Sequence, residues 1–276
     1  MKLMPIRKIV IVYKPAKKCS DLIKDYVYEF KRRNIRVDTV WVDEVRKGDL
    51  ENYDLILAMG GDGTLLRISW SLYERLPLIL PIPCGRRTVL YEDLNNIAAS
   101  EIIDRVLSGR FYIERVHRVK AVYAGNQEYA LNEVAIITHD FGRALLIDVD
   151  VITPYNNTSF VLEGDGVIIA SPTGSSAYAL SANGPIVEPG VTGMLFISLN
   201  PITLNITPIF IHPFSTIMVR PKDYSDLYID GMRLETLSPN SKVIIKMDNN
   251  ELRIIRINEK RNLVKRVLEG RTTRFT

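Results

Sequence analysis

Cysteine and histidine are scarce in this chain of 276 residues, with two of the first, Cys19 and Cys84, and three of the second, His117, His139 and His212. The cysteines lie far apart and form no CxxC pair, so neither a disulfide framework nor a zinc site is expected, and a reducing cytoplasm is the default compartment. The histidines show no ligand spacing and read as structural. Long apolar runs are also missing. No segment approaches the ~20 apolar residues that span a bilayer. The run Ile9 to Tyr13 is too short for a signal peptide and precedes no cleavage-like site, which makes it a first buried strand. There is no internal repeat and no low-complexity tract. With 46% hydrophobic and 25% charged residues, no part is expected to be disordered, and the length suits two domains. The formal charge of +4 is compatible with an anionic ligand.

What is present is concentrated in Met59-Gly60-Gly61-Asp62-Gly63-Thr64, between the apolar run Leu55 to Met59 and the helix-like segment Leu65 to Leu76. A glycine turn after a buried strand, opening a helix, is a backbone arrangement for phosphate: glycine permits close approach and φ > 0, and the helix start attracts an anion. The acid is the unusual component. A carboxylate beside a phosphate repels it unless it holds a metal ion or takes a proton from a hydroxyl about to be phosphorylated, so Asp62 points to phosphoryl transfer. A plain turn, with Asp62 as a helix cap, explains the same residues equally well on spacing alone. No Lys-Ser/Thr follows at Walker A spacing, and Leu66 stands where a dinucleotide fingerprint has its third glycine.

Apolar runs and helical segments alternate from Lys8 to about Ile97, which predicts a parallel sheet covered by helices, with ligands at the carboxyl ends of its strands. After a helix near Ile97 to Leu107 the pattern changes to short β-rich runs separated by Gly125-Asn126, Asp165-Gly166, Asn183-Gly184-Pro185 and Asp230-Gly231, which predicts a mostly β second domain. The expected division is 1–98, with 256–276 returning to it, and 99–255. The basic tail from Asn258 reads as a short helix ending before Gly270, capped by Asn258, with its charges in water; no aromatic-rich RNA motif accompanies it, so no nucleic-acid partner is expected.

A second dense signal runs from Gly164-Asp165-Gly166 to Ser171-Pro172-Thr173-Gly174-Ser175-Ser176-Ala177-Tyr178-Ala179-Leu180-Ser181. An acid, a strand and a hydroxyl-rich loop follow one another, and these groups can meet base edges, ribose hydroxyls and phosphates, with Tyr178 as a stacking face. Read alone, the block is better explained as a polar turn capping a helix near Ser176. Taken with Gly60 to Thr64, Leu131-Asn132-Glu133-Val134, Gly184-Pro185-Ile186-Val187 and Ile206-Thr207-Pro208-Ile209, it resembles the NAD kinase family over most of the chain. The resemblance implies transfer of a terminal phosphoryl group from ATP or polyphosphate to the 2′-hydroxyl of the adenosine ribose of NAD, giving NADP. It also implies an N-terminal Rossmann-like parallel α/β domain with a C-terminal mostly β domain, a closing segment packed on the first domain, Mg2+ arriving with the donor, and a homodimer or homotetramer. It makes Asp62 the proton acceptor. It places Gly61, Gly63 and Thr64 at the phosphates, and Asn132, Glu133, Asp165, Ser176, Ala177, Tyr178 and Ser181 at the dinucleotide. Arg67 and Arg143 are further candidates for phosphate pairing.

Three departures from the family pattern stand out. The segment Pro81-Ile82-Pro83-Cys84-Gly85-Arg86-Arg87-Thr88-Val89-Leu90 keeps only Ile82, Gly85 and Leu90 of the usual glycine-rich run, and it adds Arg86 and Arg87, which are expected to help hold the donor. Glu163 replaces a basic residue before Gly-Asp-Gly, and Met232 a polar one after Asp230-Gly231. A lipid kinase of the diacylglycerol or sphingosine type shares the Gly-Gly-Asp-Gly-Thr turn but lacks the Pro172 to Ser181 block. A non-catalytic NAD(P) sensor is the other alternative.

Overall fold

The computed structural model describes residues 6–84, 88–202, 206–258 and Val267. Arg86, Arg87 and the predicted tail helix, apart from Val267, lie outside the described residues. The chain forms two compact units: one runs to Val116 and resumes at Glu251, and the other is His117–Asn250.

The first unit begins β1 (Lys8–Tyr13), α1 (Lys17–Lys31), β2 (Arg36–Trp41), β3 (Leu55–Gly60), α2 (Asp62–Ser71), β4 (Leu78–Pro83), α3 (Ala99–Leu107) and β5 (Tyr112–Val116). The second contributes β6 (Val119–Tyr123), β7 (Asn126–Ala130), β8 (Glu133–Thr138), β9 (Leu145–Ile152), β10 (Asn157–Gly164), β11 (Gly166–Ala170), α4 (Tyr178–Ser181), β12 (Met194–Leu199), β13 (Ile209–Ile211), β14 (Thr216–Pro221), β15 (Ser225–Ile229), β16 (Met232–Leu237) and β17 (Val243–Met247); β18 (Leu252–Arg256) then returns to the first unit.

The first sheet has the order β2-β1-β3-β4-β18-β5. It is parallel from β2 through β18, and β5 is antiparallel to β18. Every residue of β3, Leu-Ile-Leu-Ala-Met-Gly, is buried, as a strand covered on both faces requires, which is why it reads as an unbroken apolar run. Because β18 lies between β4 and β5, the hairpin-like pair β5 and β18 belongs to the first unit. The boundaries therefore fall at 116/117 and 250/251, not at 98/99 and 255/256.

The second unit holds two antiparallel six-stranded sheets, β10-β9-β14-β17-β6-β7 and β13-β12-β11-β8-β15-β16. Burial alternates along β9 and β14, so one face of that sheet is covered and one is wet. The inner strands β11 and β12 are buried throughout. Phe160 on β10 meets Phe196 on β12 edge to face at 5.7 Å, joining the two sheets.

One expectation fails outright. Cys19 in the first turns of α1 and Cys84 just beyond β4 form a disulfide with Cα atoms 5.3 Å apart. Both are buried in the core formed by α1, α3 and the first sheet. Sequence spacing gave no sign of it because α1 covers the sheet on which β4 lies, and only that packing joins two residues separated by 65 positions.

Candidate active site

The phosphate turn is built by the abrupt junction of β3 with α2. Gly60 ends the strand, Gly61 is the extended N-cap at φ −131°, ψ −168°, and Asp62 is already the first helical residue. The Gly61 carbonyl accepts the Thr64 N–H at 2.9 Å, so the amides of Asp62 and Gly63 are first-turn donors with no intrahelical acceptor. None of these glycines has positive φ, contrary to the expectation from the motif. Their use is steric. A Cβ on Gly60 would overlap Thr64 Oγ1, whereas one on Gly63 would meet nothing within 4 Å. The bare backbone at Gly63 thus leaves open space at the helix start, and Thr64 is buried beneath it.

Among the described residues, the hydrogen bonds that orient Asp62 come from backbone. Its Oδ2 accepts the Val89 N–H at 2.9 Å and its Oδ1 the Leu90 N–H at 3.0 Å. The same segment continues into Tyr91, fully buried, whose hydroxyl is pushed up by burial and then by the Asp62 charge, against the opposing Arg256. Next comes Glu92, whose carboxylate accepts the N–H groups of Ile257 at 2.6 Å and Asn258 at 2.9 Å. Residues 89–92 therefore hold Asp62 with their amides and the end of β18 with a side chain. Sequence reasoning missed Val89, Leu90 and Glu92. Amide donors carry no side-chain signature, and the partner of Glu92 lies 165 residues away.

Arg67, a candidate for the phosphates, points elsewhere: its Nη2 donates to the Val45 carbonyl at 2.7 Å, and its guanidinium lies 4.2 Å from the Trp70 ring centroid. Helical geometry turns a residue five positions into α2 toward the flank of the helix, away from its first turn.

In the second unit the structure gathers Asn132, Glu133, Asp165 and Tyr178. Asp230, in the left-handed region at φ 49°, accepts three successive backbone N–H bonds, from Leu131 at 2.9 Å, Asn132 at 2.7 Å and Glu133 at 3.1 Å. That clamp fixes the strand entry that presents Asn132 and Glu133. Gly174 packs against it so closely that a Cβ would overlap the Asn132 carbonyl. The Tyr178 hydroxyl is raised by burial and then by the charges of Asp165, Glu133 and Tyr228, which places those groups around it. Asp165 Oδ2 accepts from Asn200 Nδ2 at 2.7 Å. Tyr178 and Ser181 are exposed, and Ala177 between them and Ser176 is half-buried.

Three serine hydroxyls of the Ser171 to Ser176 loop donate to backbone carbonyls. Ser171 Oγ donates to the Leu131 carbonyl, Ser175 Oγ to the Pro172 carbonyl at 2.6 Å, and Ser176 Oγ to the Thr173 carbonyl at 3.1 Å. They build the loop and tie it to Leu131. Arg143 stands on the exposed turn between β8 and β9, where its backbone N–H donates to the Asp140 carbonyl at 3.2 Å.

The family model described as the ATP-NAD kinase N-terminal domain matches residues 11–111, and that of the ATP-NAD kinase C-terminal domain matches residues 131–257. The chain belongs to the NAD kinase family. The NAD kinase of Caldicellulosiruptor bescii is 30% identical over 245 residues, covering 87% of this chain and 90% of that protein. The NAD kinase of Methanosarcina acetivorans is 32% identical over 275 residues, covering 93% and 96%. Among solved structures, an NAD kinase from Archaeoglobus fulgidus in complex with ATP superimposes with a TM-score of 0.79 at 26% identity, covering 95% of this chain and 98% of that one. The yeast NADH kinase complexed with NADH gives a TM-score of 0.81 at 18% identity over 99% and 89%, a likeness of fold. NAD kinases are phosphotransferases acting on a hydroxyl group. No described helix is long and apolar enough to cross a membrane.

Proposed function

We propose that this NAD kinase moves the terminal phosphoryl group of ATP or polyphosphate to the 2′-hydroxyl of the adenosine ribose of NAD, and that Asp62 accepts the hydroxyl proton. The observation that carries this reading is the placement of Asp62. Both of its oxygens are aligned by the Val89 and Leu90 amides, at the first residue of a helix whose open N-terminal amides favour phosphate. In the step, the O2′–H bond breaks toward Asp62, an O2′–P bond forms, and the bridging P–O bond of the donor breaks, leaving a nucleoside diphosphate or a shortened polyphosphate. The backbone of Gly61, Gly63 and Thr64 orients the donor chain. Asn132, Glu133, Asp165, Ala177, Tyr178 and Ser181 bind the dinucleotide, and Ser176 supports that surface through its bond to Thr173. A positioned base contributes ~10²–10⁴-fold, and electrostatic stabilisation of the transferring group the remainder.

Among the described residues no group of three or more His, Cys, Asp or Glu could cage a metal. Mg2+ would enter with the donor, since it binds through one or two carboxylates together with substrate phosphates, and Asp62 is the carboxylate within the turn. There it would supply positive charge to neutralise the transferring phosphate. We place the protein in the cytoplasm as a homodimer or homotetramer. The large exposed side chains of the second unit, among them Phe141, Tyr155 and Phe214, support self-association, and the disulfide is buried away from small reductants.

Incubation with NAD, Mg2+ and either ATP or polyphosphate, with the product assigned by NMR, tests the reaction. NADP carrying a 2′-phosphate is the expected product. NAD binding without product from either donor would overturn the kinase reading in favour of a sensor, and light scattering would decide the subunit number.

A further inference from the structure

We propose that Glu133 meets the dinucleotide as a neutral carboxylic acid that donates a hydrogen bond to an acceptor atom of the ligand, while neighbouring Asp230 stays ionised and positions the turn. The inference rests on the NAD kinase reading and concerns a protonation state. Two carboxyl groups share the strand entry at Leu131 to Glu133, and the backbone distributes its donors unequally between them. Asp230 accepts three N–H bonds. Glu133 receives one backbone N–H bond, from Tyr178. Glu133 is 6% exposed, and its Oε2 is buried without a hydrogen-bond partner among the described residues.

A buried carboxylate oxygen lacking a donor is costly, and a second negative charge beside Asp230 adds to that cost; a proton on Glu133 removes the charge and leaves a donor for a ligand acceptor to satisfy. The groups facing it are all acidic or neutral. Asp230 comes from the β15–β16 turn and Tyr178 from α4. Asp165, at the β10–β11 junction, and Tyr228, on β15, reach the same cluster through Tyr178. Arg118 acts on Asp230, and no lysine, arginine or histidine is among the groups that act on Glu133. Burial, and then the Asp230 charge, push the Glu133 carboxyl up to about 8; Asp230, raised by burial but held back by its N–H bonds and by Arg118, reaches only about 6. The pair thus takes up its first negative charge on Asp230. A protonated glutamic acid offers a donor that an ionised one lacks, and it spares a polyanionic ligand a second fixed negative charge.

The test has two readouts on the full chain. Carbon-13 NMR of glutamate-labelled protein, with Glu133→Gln used to assign the signal, is expected to show a carboxyl titrating near 8 without ligand; titration near the ordinary ~4.3 would overturn the proposal. Calorimetry with NAD is expected to show the Kd rising about tenfold from pH 7 to pH 9, as the neutral fraction of a group titrating near 8 falls tenfold. Glu133→Gln, whose amide keeps its donor, should be flat over that range and bind more tightly than the unmodified protein at pH 9. A folded Glu133→Gln protein that fails to bind at pH 7 would show that the charged form is needed and sink the idea. A high-titrating Glu133 in a protein that binds no NAD at any pH would instead refute the NAD reading and, with it, the ligand half of this proposal.

Discussion

Breaking the Cys19–Cys84 bond changes the unfolded chain more than the folded one, which makes its effect calculable. The sulfurs lie in a core that is retained when they become thiols, since Cys19 and Cys84 are 1% and 6% exposed and free cysteine packs as a small apolar residue. The loss is therefore mainly the restored freedom of a loop of 65 residues. Loop-closure entropy for that length gives about 4 kcal/mol. For a chain of this size, at roughly 2–4 °C per kcal/mol, the midpoint should fall by about 10 °C. The assay is scanning calorimetry of oxidised protein against protein reduced in denaturant and refolded with reductant, with mass spectrometry confirming the gain of two hydrogens. Cys19→Ala/Cys84→Ala should melt close to the reduced protein and be insensitive to reductant. A verified reduction that moves the midpoint by less than about 2 °C would refute the entropic account. Two free thiols in denatured, air-oxidised protein would refute the bond itself.

Asp62→Asn keeps an acceptor for only one of the two amides at 89 and 90 and cannot take a proton. It should fold by circular dichroism, bind NAD and lose roughly 10²-fold or more in kcat, and retention of more than a tenth of the rate would remove Asp62 from the proton-acceptor role. Gly174→Ala forces a Cβ onto the Asn132 carbonyl; urea unfolding should show a loss of ~1–3 kcal/mol, with KM for NAD raised because the Asn132 peptide must move. Asp248→Ala removes the carboxylate that pairs with the fully buried Arg118 at 2.7 Å; the expected cost by denaturant melt is ~3–5 kcal/mol. Glu133 titrates higher folded than unfolded, so the folded state binds more protons between its ordinary range and about 8, and stability should fall as pH rises through that window. Glu133→Gln should flatten this part of the profile, and equal slopes in thermal melts of the two proteins would count against the buried acid.

Much of the fold was legible because its signals are local. The unbroken run Leu55 to Met59 announces a strand covered on both faces, the change of pattern after Leu107 announces the β-rich unit, and Gly60 to Thr64 announces a turn opening a helix. The candidate site was legible in part, chiefly as residue strings resembling a family. What those strings do was less legible: the serines after Ala170 look like ligand-facing hydroxyls, yet three of them bond backbone carbonyls, and Arg67 looks like a phosphate clamp, yet it binds Val45 and Trp70.

By itself the sequence determined the alternating strands and helices of the first unit, the β-rich character of the second, the absence of a long apolar span, and the carboxylate at the head of the phosphate turn, because hydrophobic period and turn chemistry act over a few residues. Only the tertiary structure decided that Cys19 meets Cys84, that the amides of Val89 and Leu90 hold Asp62, and that Asp230 clamps a turn nearly a hundred positions earlier. A hydrogen bond or disulfide forms wherever packing brings its partners within reach, and the sheets, not the spacing of residues along the chain, set those distances.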